Sequence, residues 1–238
     1  MIHVGVDGCP CGWYAVRRTP GTTTGQLYSS LEELWADNND AERILIDILI
    51  GLPNRNDSNH ARRSCDIEAR EQVGPRRTSV FFTPIRAVLD AESQPAASER
   101  SKDLTGRGVS KQAFYLLKKM REMDQLFDSS PDVLETILES HPELCFVKFN
   151  DDEPLESKKK TEQGRNERLE IISRLFGDAR GFYGELREAY LVREVGHDDI
   201  IDAMVLAAAA AGETATLPAE PELDAEGRPM QMVYPVLG

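Results

Sequence analysis

Three carboxylates stand where a folding chain normally puts apolar side chains. Asp7 closes the run IHVGV, Asp47 interrupts ILIDILI, and Glu139 ends VLETILE. Asp198, Asp199 and Asp202 head a fourth apolar stretch, IIDAMVLAAAAA. A buried charge without a partner loses its hydration, and acids drawn together raise one another's pKa. A divalent cation removes that penalty. Mg²⁺ or Mn²⁺ takes oxygen ligands and keeps several waters. Two such ions can activate a water and stabilise the oxygen leaving a phosphodiester. Asp199 and Asp202 lie three residues apart, on one face of a helix. Each acid also has a plainer reading. Asp198 or Asp199 can cap a helix, Asp47 can pair with an arginine, Asp7 can sit in a turn, and Glu139 can be structural.

The elements that must position these acids follow from pattern. Ile2–Val6 reads as a buried strand, and WYAVR after a Gly/Pro-rich turn completes a hairpin. Residues 26–28 suggest a short third strand. Ser30 with Glu33 is a capping box ahead of a helix. Residues 44–50 read as a buried strand stopped by GLP, and CDIEAREQVG as a helix ended by Gly74 and Pro75. GPRRTSVFFTP predicts a turn, a short strand and another stop. From Ser110 to Phe127, Ala113, Leu116, Leu117, Met120, Met123 and Phe127 form one helical stripe. Helices are expected over 164–176 and from His197 to the Gly212 stop. The strand-rich start and alternating end predict an α/β fold: a mixed sheet flanked by helices. Residues 1–212 are expected as one domain, with a largely helical insertion over about 54–130. Residues 213–238, rich in prolines and acids, read as an extended tail.

Charge narrows the partners. The net charge is −13, which repels nucleic acid if spread evenly. It is not spread evenly. Residues 54–122 hold 14 Lys/Arg against 9 Asp/Glu, an excess of the opposite sign. Arg62, Arg63, Arg70, Arg76, Arg77, Lys111, Lys118 and Lys158–Lys160 are candidates for phosphate contact. Lysines off an apolar stripe are more often simply solvated, whereas Arg76 and Arg77 sit in a turn, where function concentrates. His141, two residues past Glu139, is a candidate for proton transfer. The four cysteines form one C-x-C and two scattered thiols, which is not zinc spacing. No apolar run reaches the roughly 18 residues of a membrane helix, and the expected compartment is the cytoplasm.

In that order, VGVDGCPCGW, IDILIGLP, RSCDIEARE, GPRRTSVFFTP, GVSKQAF, ESHPELCF, SKKKTEQGRNERL and HDDIIDA resemble domain of unknown function 429, a family of predicted nucleases with a ribonuclease-H-like fold. The resemblance runs from about Val4 to Ala211. It implies a five-stranded ribonuclease-H-like sheet with the insertion after the fourth strand. It also implies Mg²⁺ or Mn²⁺ on Asp7, Asp47, Asp199 and Asp202. ESHPE followed by SKKKT resembles the Holliday-junction resolvase branch and makes Glu139 a candidate auxiliary ligand among the catalytic acids. The chain departs from the family at Cys11, where glycine is usual, and at Leu49, where proline is usual; neither change removes a carboxylate.

The leading expectation is a metal-dependent nuclease acting on DNA or RNA, with Arg76, Arg77, Lys111, Lys118 and Lys158 meeting the phosphates. Two rivals remain. One is an ATP-dependent kinase-like enzyme of the same fold, although the chain offers a single acid-bearing lobe and no P-loop. The other is a catalytically silent nucleic-acid-binding module stabilised by a structural ion. The oligomeric state stays open, a dimer included.

Overall fold

The structure is a computed structural model and describes residues 1–54 and 62–237. Three strands open it. β1 (His3–Cys9) turns through Pro10 and Cys11 into β2 (Gly12–Thr19), and β3 (Thr22–Tyr28) follows. Both pairings are antiparallel. β3 begins earlier than its sequence suggests, because Thr22–Thr24 continue the register against Arg17–Thr19. Ser30 caps α1 (Leu31–Asn38), accepting the Glu33 N–H at 3.2 Å, while the Glu33 carboxylate reaches back to the Ser29 N–H at 3.1 Å. α1 returns the chain to β4 (Arg43–Ile46), parallel to β1. The strand ends at Ile46, so Asp47 stands just beyond it.

The insertion is helical: α2 (Ser64–Gln72), α3 (Gln94–Thr105) and α4 (Lys111–Ser129), with two 3₁₀ turns between α2 and α3. β5 (Ile137–Glu139) then pairs parallel to β4. It is followed by α5 (Pro142–Phe149), α6 (Glu162–Phe176), α7 (Ala179–Ala189) and α8 (His197–Ala210). The sheet order β3-β2-β1-β4-β5, with only β2 antiparallel to its neighbours, is a ribonuclease-H-like mixed sheet.

Alternation along the strands gives the sheet two faces. Val4, Val6, Ile44 and Ile46 pack with Leu31 and Leu34 of α1 and with Leu117, Met120 and Met123 of α4. Tyr14, Val16 and Leu45 pack with α5, α6 and α8. α8 is Ala-rich because it crosses the sheet closely. A Cβ on Gly5 would lie 2.1 Å from Ala207 N and 2.2 Å from Ala203 O, so only glycine lets the helix backbone touch β1.

Two expectations fail here. No strand forms within residues 78–84. Side chains claim that backbone instead: Arg70 donates to Val80 O at 2.5 Å, and Asp66 accepts from Thr83 N–H at 2.9 Å. Residues 213–237 are not a free tail either. β6 (Thr214–Leu217) and β7 (Met232–Pro235) pair antiparallel, burying Leu217, Met232 and Val233. Between them Asp224 accepts the Leu52 N–H at 2.9 Å and pairs with Arg86 at 2.7 Å, tying this end to the segment after β4.

Candidate functional site

The parallel register of β1 and β4 brings the first two acids together. Val6 stands opposite Ile46, and Asp47 N–H donates to Val6 O at 3.0 Å. Asp7 and Asp47 are therefore neighbours one residue beyond the paired strands, which lie about 4.8 Å apart. Both follow the Gly5/Leu45 alternation, onto the face that carries α8. Two residues along β1 from Gly5 is about 6.6 Å, roughly one helical turn back along α8 from its Gly5 contact. That turn carries Asp199 and Asp202, so the crossing at Gly5 sets the height of these acids over Asp7.

The electrostatics follow. Burial first, then Asp47, Asp202 and Asp199, raise the Asp7 carboxyl well above the usual carboxylate range. Its Oδ1 accepts the Gly8 N–H at 2.7 Å. Asp202, at 1% exposure, is pushed up to about 6, chiefly by burial. Asp47 accepts no hydrogen bond from any described residue. Asp199 is raised by burial and also caps α8, its Oδ2 accepting the Gly196 N–H at 2.7 Å.

Lys159 pairs directly with one of these acids. Lys159 Nζ donates to Asp202 Oδ2 at 2.7 Å and lies 3.8 Å from Asp198 Oδ2, and Asp202 raises its pKa. Its segment is clamped ahead of α6. The Thr161 hydroxyl donates to Lys158 O at 2.8 Å and accepts the Gly164 N–H at 3.0 Å. A Cβ on Gly164 would meet Lys158 O at 2.0 Å, so the turn needs glycine there. Among the described residues no three Asp, Glu, His or Cys side chains form a ready-made metal cluster. The donor set nevertheless suits a hard divalent cation: all oxygen, mostly buried, and mutually repelling around an Asp47 carboxylate with no hydrogen-bond donor.

Asp7, Asp47 and Asp202 open into a cavity of about 420 Å³. Its far wall holds Ser79, His141 and Glu143, each with a buried polar atom that has no partner: Ser79 Oγ, His141 Nδ1 and Glu143 Oε2. The other Glu143 oxygen binds Arg168 at 2.5 Å. Lys119 enters from α4, stacked 4.1 Å from the Trp13 ring and bonded to Gly12 O. The sequence flagged Lys159 only within a lysine run and did not mark Glu143, Ser79 or Lys119. Glu143 could have been found in ESHPE, where an acid opens an otherwise apolar helix.

Glu139 does not join the acids. Register sets it opposite Ile46, on the α1/α4 face, one residue out of phase with Asp47. Its Oε1 takes Arg63 at 2.5 Å, and its Oε2 takes Arg63 at 2.6 Å and the Ile50 N–H at 2.7 Å. Arg63 also binds Asp66 at 2.6 Å, and both arginine and acids are buried. Glu139 thus has the satisfied surroundings of a structural ion pair, although it borders the cavity.

The basic candidates divide. Lys158 is exposed at the cavity wall with Lys160. Arg76 also lines it, but its guanidinium is held by Leu155 O at 3.1 Å and Glu156 O at 2.5 Å. Arg77, Lys111 and Lys118 are exposed and outside the cavity wall.

Fold and site define a class: an α/β protein with a ribonuclease-H-like sheet and a carboxylate group at the carboxyl ends of its central parallel strands. The chain belongs to the protein family of unknown function DUF429, whose model matches residues 5–223. No curated protein and no solved structure matches it.

Proposed function

We propose that the chain is a metal-dependent nuclease that hydrolyses phosphodiester bonds of DNA or RNA. The reading rests on Asp7, a carboxyl held well above its usual range beside Asp47, Asp202 and Asp199. A divalent cation would relieve that repulsion, with Asp7, Asp47 and Asp202 as its holders and Asp199 at their rim. Bound there, Mg²⁺ or Mn²⁺ would supply an activated water and stabilise the leaving oxygen.

The chain's own residues do the rest. Lys158 and Lys160 neutralise backbone phosphates where the cavity opens. Lys159, which pairs with Asp202 here, would be a third donor for phosphate oxygens with a cation on that carboxylate. His141 and Ser79 line the cavity, and His141 Nδ1 and Ser79 Oγ are buried without partners among the described residues, positions from which a ring nitrogen or hydroxyl can orient a phosphate or move a proton.

Incubation with a panel of labelled single-stranded, duplex and branched nucleic acids in Mg²⁺ and in Mn²⁺ tests the reading. Cleavage that is lost in Asp7→Asn supports it. Absence of cleavage across the panel, or cleavage that survives Asp7→Asn, refutes it.

A further inference from the structure

A second cavity, of about 210 Å³, lies beside the first and shares Phe81 as a wall. It sits at the start of α4 and is lined by Arg62, Arg107, Thr83 and Ser110. The Arg62 guanidinium lies 3.7 Å from the Phe82 ring centre, with Arg70 over the same ring at 4.5 Å. Arg70 is engaged by Val80 O. Arg62 is not: its Nε is buried without a partner. Partial burial and then the charges of Arg107 and Arg70 lower its proton affinity, and no carboxylate offsets them. An acidic chain has gathered like charges here without an acid among the described residues to pair with Arg62.

Thr83 and the head of α4 border the cavity. Thr83 is 3% exposed, and its N–H is bonded to Asp66. Thr83 lines the cavity, and its buried hydroxyl has no partner among the described residues. At the head of the 19-residue α4, the Ser110 hydroxyl accepts the Ala113 N–H at 3.1 Å. The Lys111 and Gln112 amides are left without helical acceptors, at the positive end of the helix dipole.

We propose that this pocket, at the head of α4, binds a phosphate group of a nucleic-acid backbone, held by Arg62, Arg107 and the Thr83 hydroxyl. Forked guanidinium donors match phosphate oxygens, and the positive end of the α4 dipole beside them favours an anion. The cavity is below the roughly 300 Å³ at which pockets for whole drug-sized ligands begin, so it suits one phosphate rather than a whole nucleotide. α4 links it to the acids, since Gln112, Leu116 and Lys119 line the larger cavity. Ser110 to Lys119 spans roughly 13 Å of helix, about four steps at the ~3.4 Å rise of duplex DNA. A strand lying along α4 would be anchored at its head and reach the acids near Lys119. The nucleic-acid source rests on the nuclease reading; the phosphate chemistry does not.

The test is fluorescence anisotropy of a labelled oligonucleotide on the whole chain, with Ca²⁺ replacing Mg²⁺, over a salt series. The variants are Arg62→Gln with Arg107→Gln, and separately Thr83→Val, each checked for fold by circular dichroism and melting. The double variant is expected to bind about tenfold or more weakly, with a salt slope shallower by about 1. Thr83→Val is expected to weaken binding about threefold to tenfold with the slope unchanged. Folded variants that bind like the parent overturn the proposal. Calorimetric binding of inorganic phosphate that the variants abolish, without any oligonucleotide binding, overturns the backbone assignment. Dependence of oligonucleotide binding on these residues, with no cleavage in Mn²⁺, upholds the pocket and removes only the nuclease reading.

Discussion

The Lys159 ammonium lies 2.7 Å from Asp202 Oδ2, at the point where the acids of β1, β4 and α8 converge. It is an internal counter-ion on a clamped turn, and it balances one acid while Asp47 has no donor among the described residues. A bare cluster of buried carboxylates would cost several kcal/mol; a tethered cation lowers that cost in the ion-free protein. The same charge must oppose an incoming divalent cation.

Lys159→Gln should therefore act in opposite directions on two measurements. Without metal at pH 8 the melting temperature falls, because Asp202 loses its partner. Mn²⁺ affinity by calorimetry rises about tenfold, the effect of removing roughly 1.4 kcal/mol of opposition. Unchanged Mn²⁺ affinity would show that Lys159 and the ion do not share Asp202.

The acids also fix a pH dependence. Asp202, near 6, and Asp7, raised further from its usual range, hold protons in the native chain that the unfolded chain releases from about pH 4 upward. The native state then binds more protons, so ion-free stability falls as pH rises through this window. Differential scanning fluorimetry should show the metal-free chain melting about 5 °C or more lower at pH 8 than at pH 5. Saturating Mn²⁺ should recover most of that loss at pH 8 and have little effect at pH 5, where protons occupy the carboxylates.

Asp47→Asn separates stability from function. Among the charges that raise Asp7, that of Asp47 acts most strongly, and Asp47 accepts no hydrogen bond from any described residue. Removing its charge should raise the metal-free melting temperature at pH 8 by a few degrees and abolish the Mn²⁺-induced rise. A variant less stable than the parent, with Mn²⁺ stabilisation intact, would mean that Asp47 is a structural acid.

Asp7 and Asp47 are legible in the sequence because an acid next to β-branched runs has no ordinary packing role. α4 is legible through its stripe, and Ser110 as its cap. Glu139 presents the same signal, yet its role depends on register, and a one-residue difference sends it to the opposite face and to Arg63. Arg63 read as a surface phosphate contact because nothing local announces partners 3 and 76 residues away. β6 and β7 are four residues each, and their pairing spans a loop that no periodicity encodes. Glu143 and Lys159 acquire their positions only when α5 and the turn before α6 pack against α8.

Gly5→Ala tests whether the close crossing of α8 positions the acids. The added methyl would overlap the Ala207 amide and the Ala203 carbonyl, both backbone atoms that cannot rotate away. Overpacking costs about 1–3 kcal/mol where side chains can yield, so a cost of at least about 3 kcal/mol is expected here. Chemical denaturation measures it. In whatever fraction folds, Mn²⁺ affinity should fall as well, because α8 carries Asp199 and Asp202 away from Asp7.

Glu139→Gln decides whether Glu139 belongs with the ion or with the core. Arg63 is wholly buried between Glu139 and Asp66, and its guanidinium also donates to Gly51 O at 3.0 Å. Breaking a buried pair by removing one partner costs about 3–5 kcal/mol. Asp66 still neutralises Arg63, so the lower end of that range is expected. The amide can keep one bond to Arg63 but cannot accept on both atoms, so the Ile50 N–H or one arginine N–H loses its acceptor. The prediction is a large loss of stability in urea with Mn²⁺ affinity and its pH dependence unchanged in the folded protein. Loss of Mn²⁺ affinity at parental stability would return Glu139 to the ligand set. Asp47→Asn is expected to give the opposite pattern, and the two variants together separate an acid held in a buried ion pair from one with no donor among the described residues.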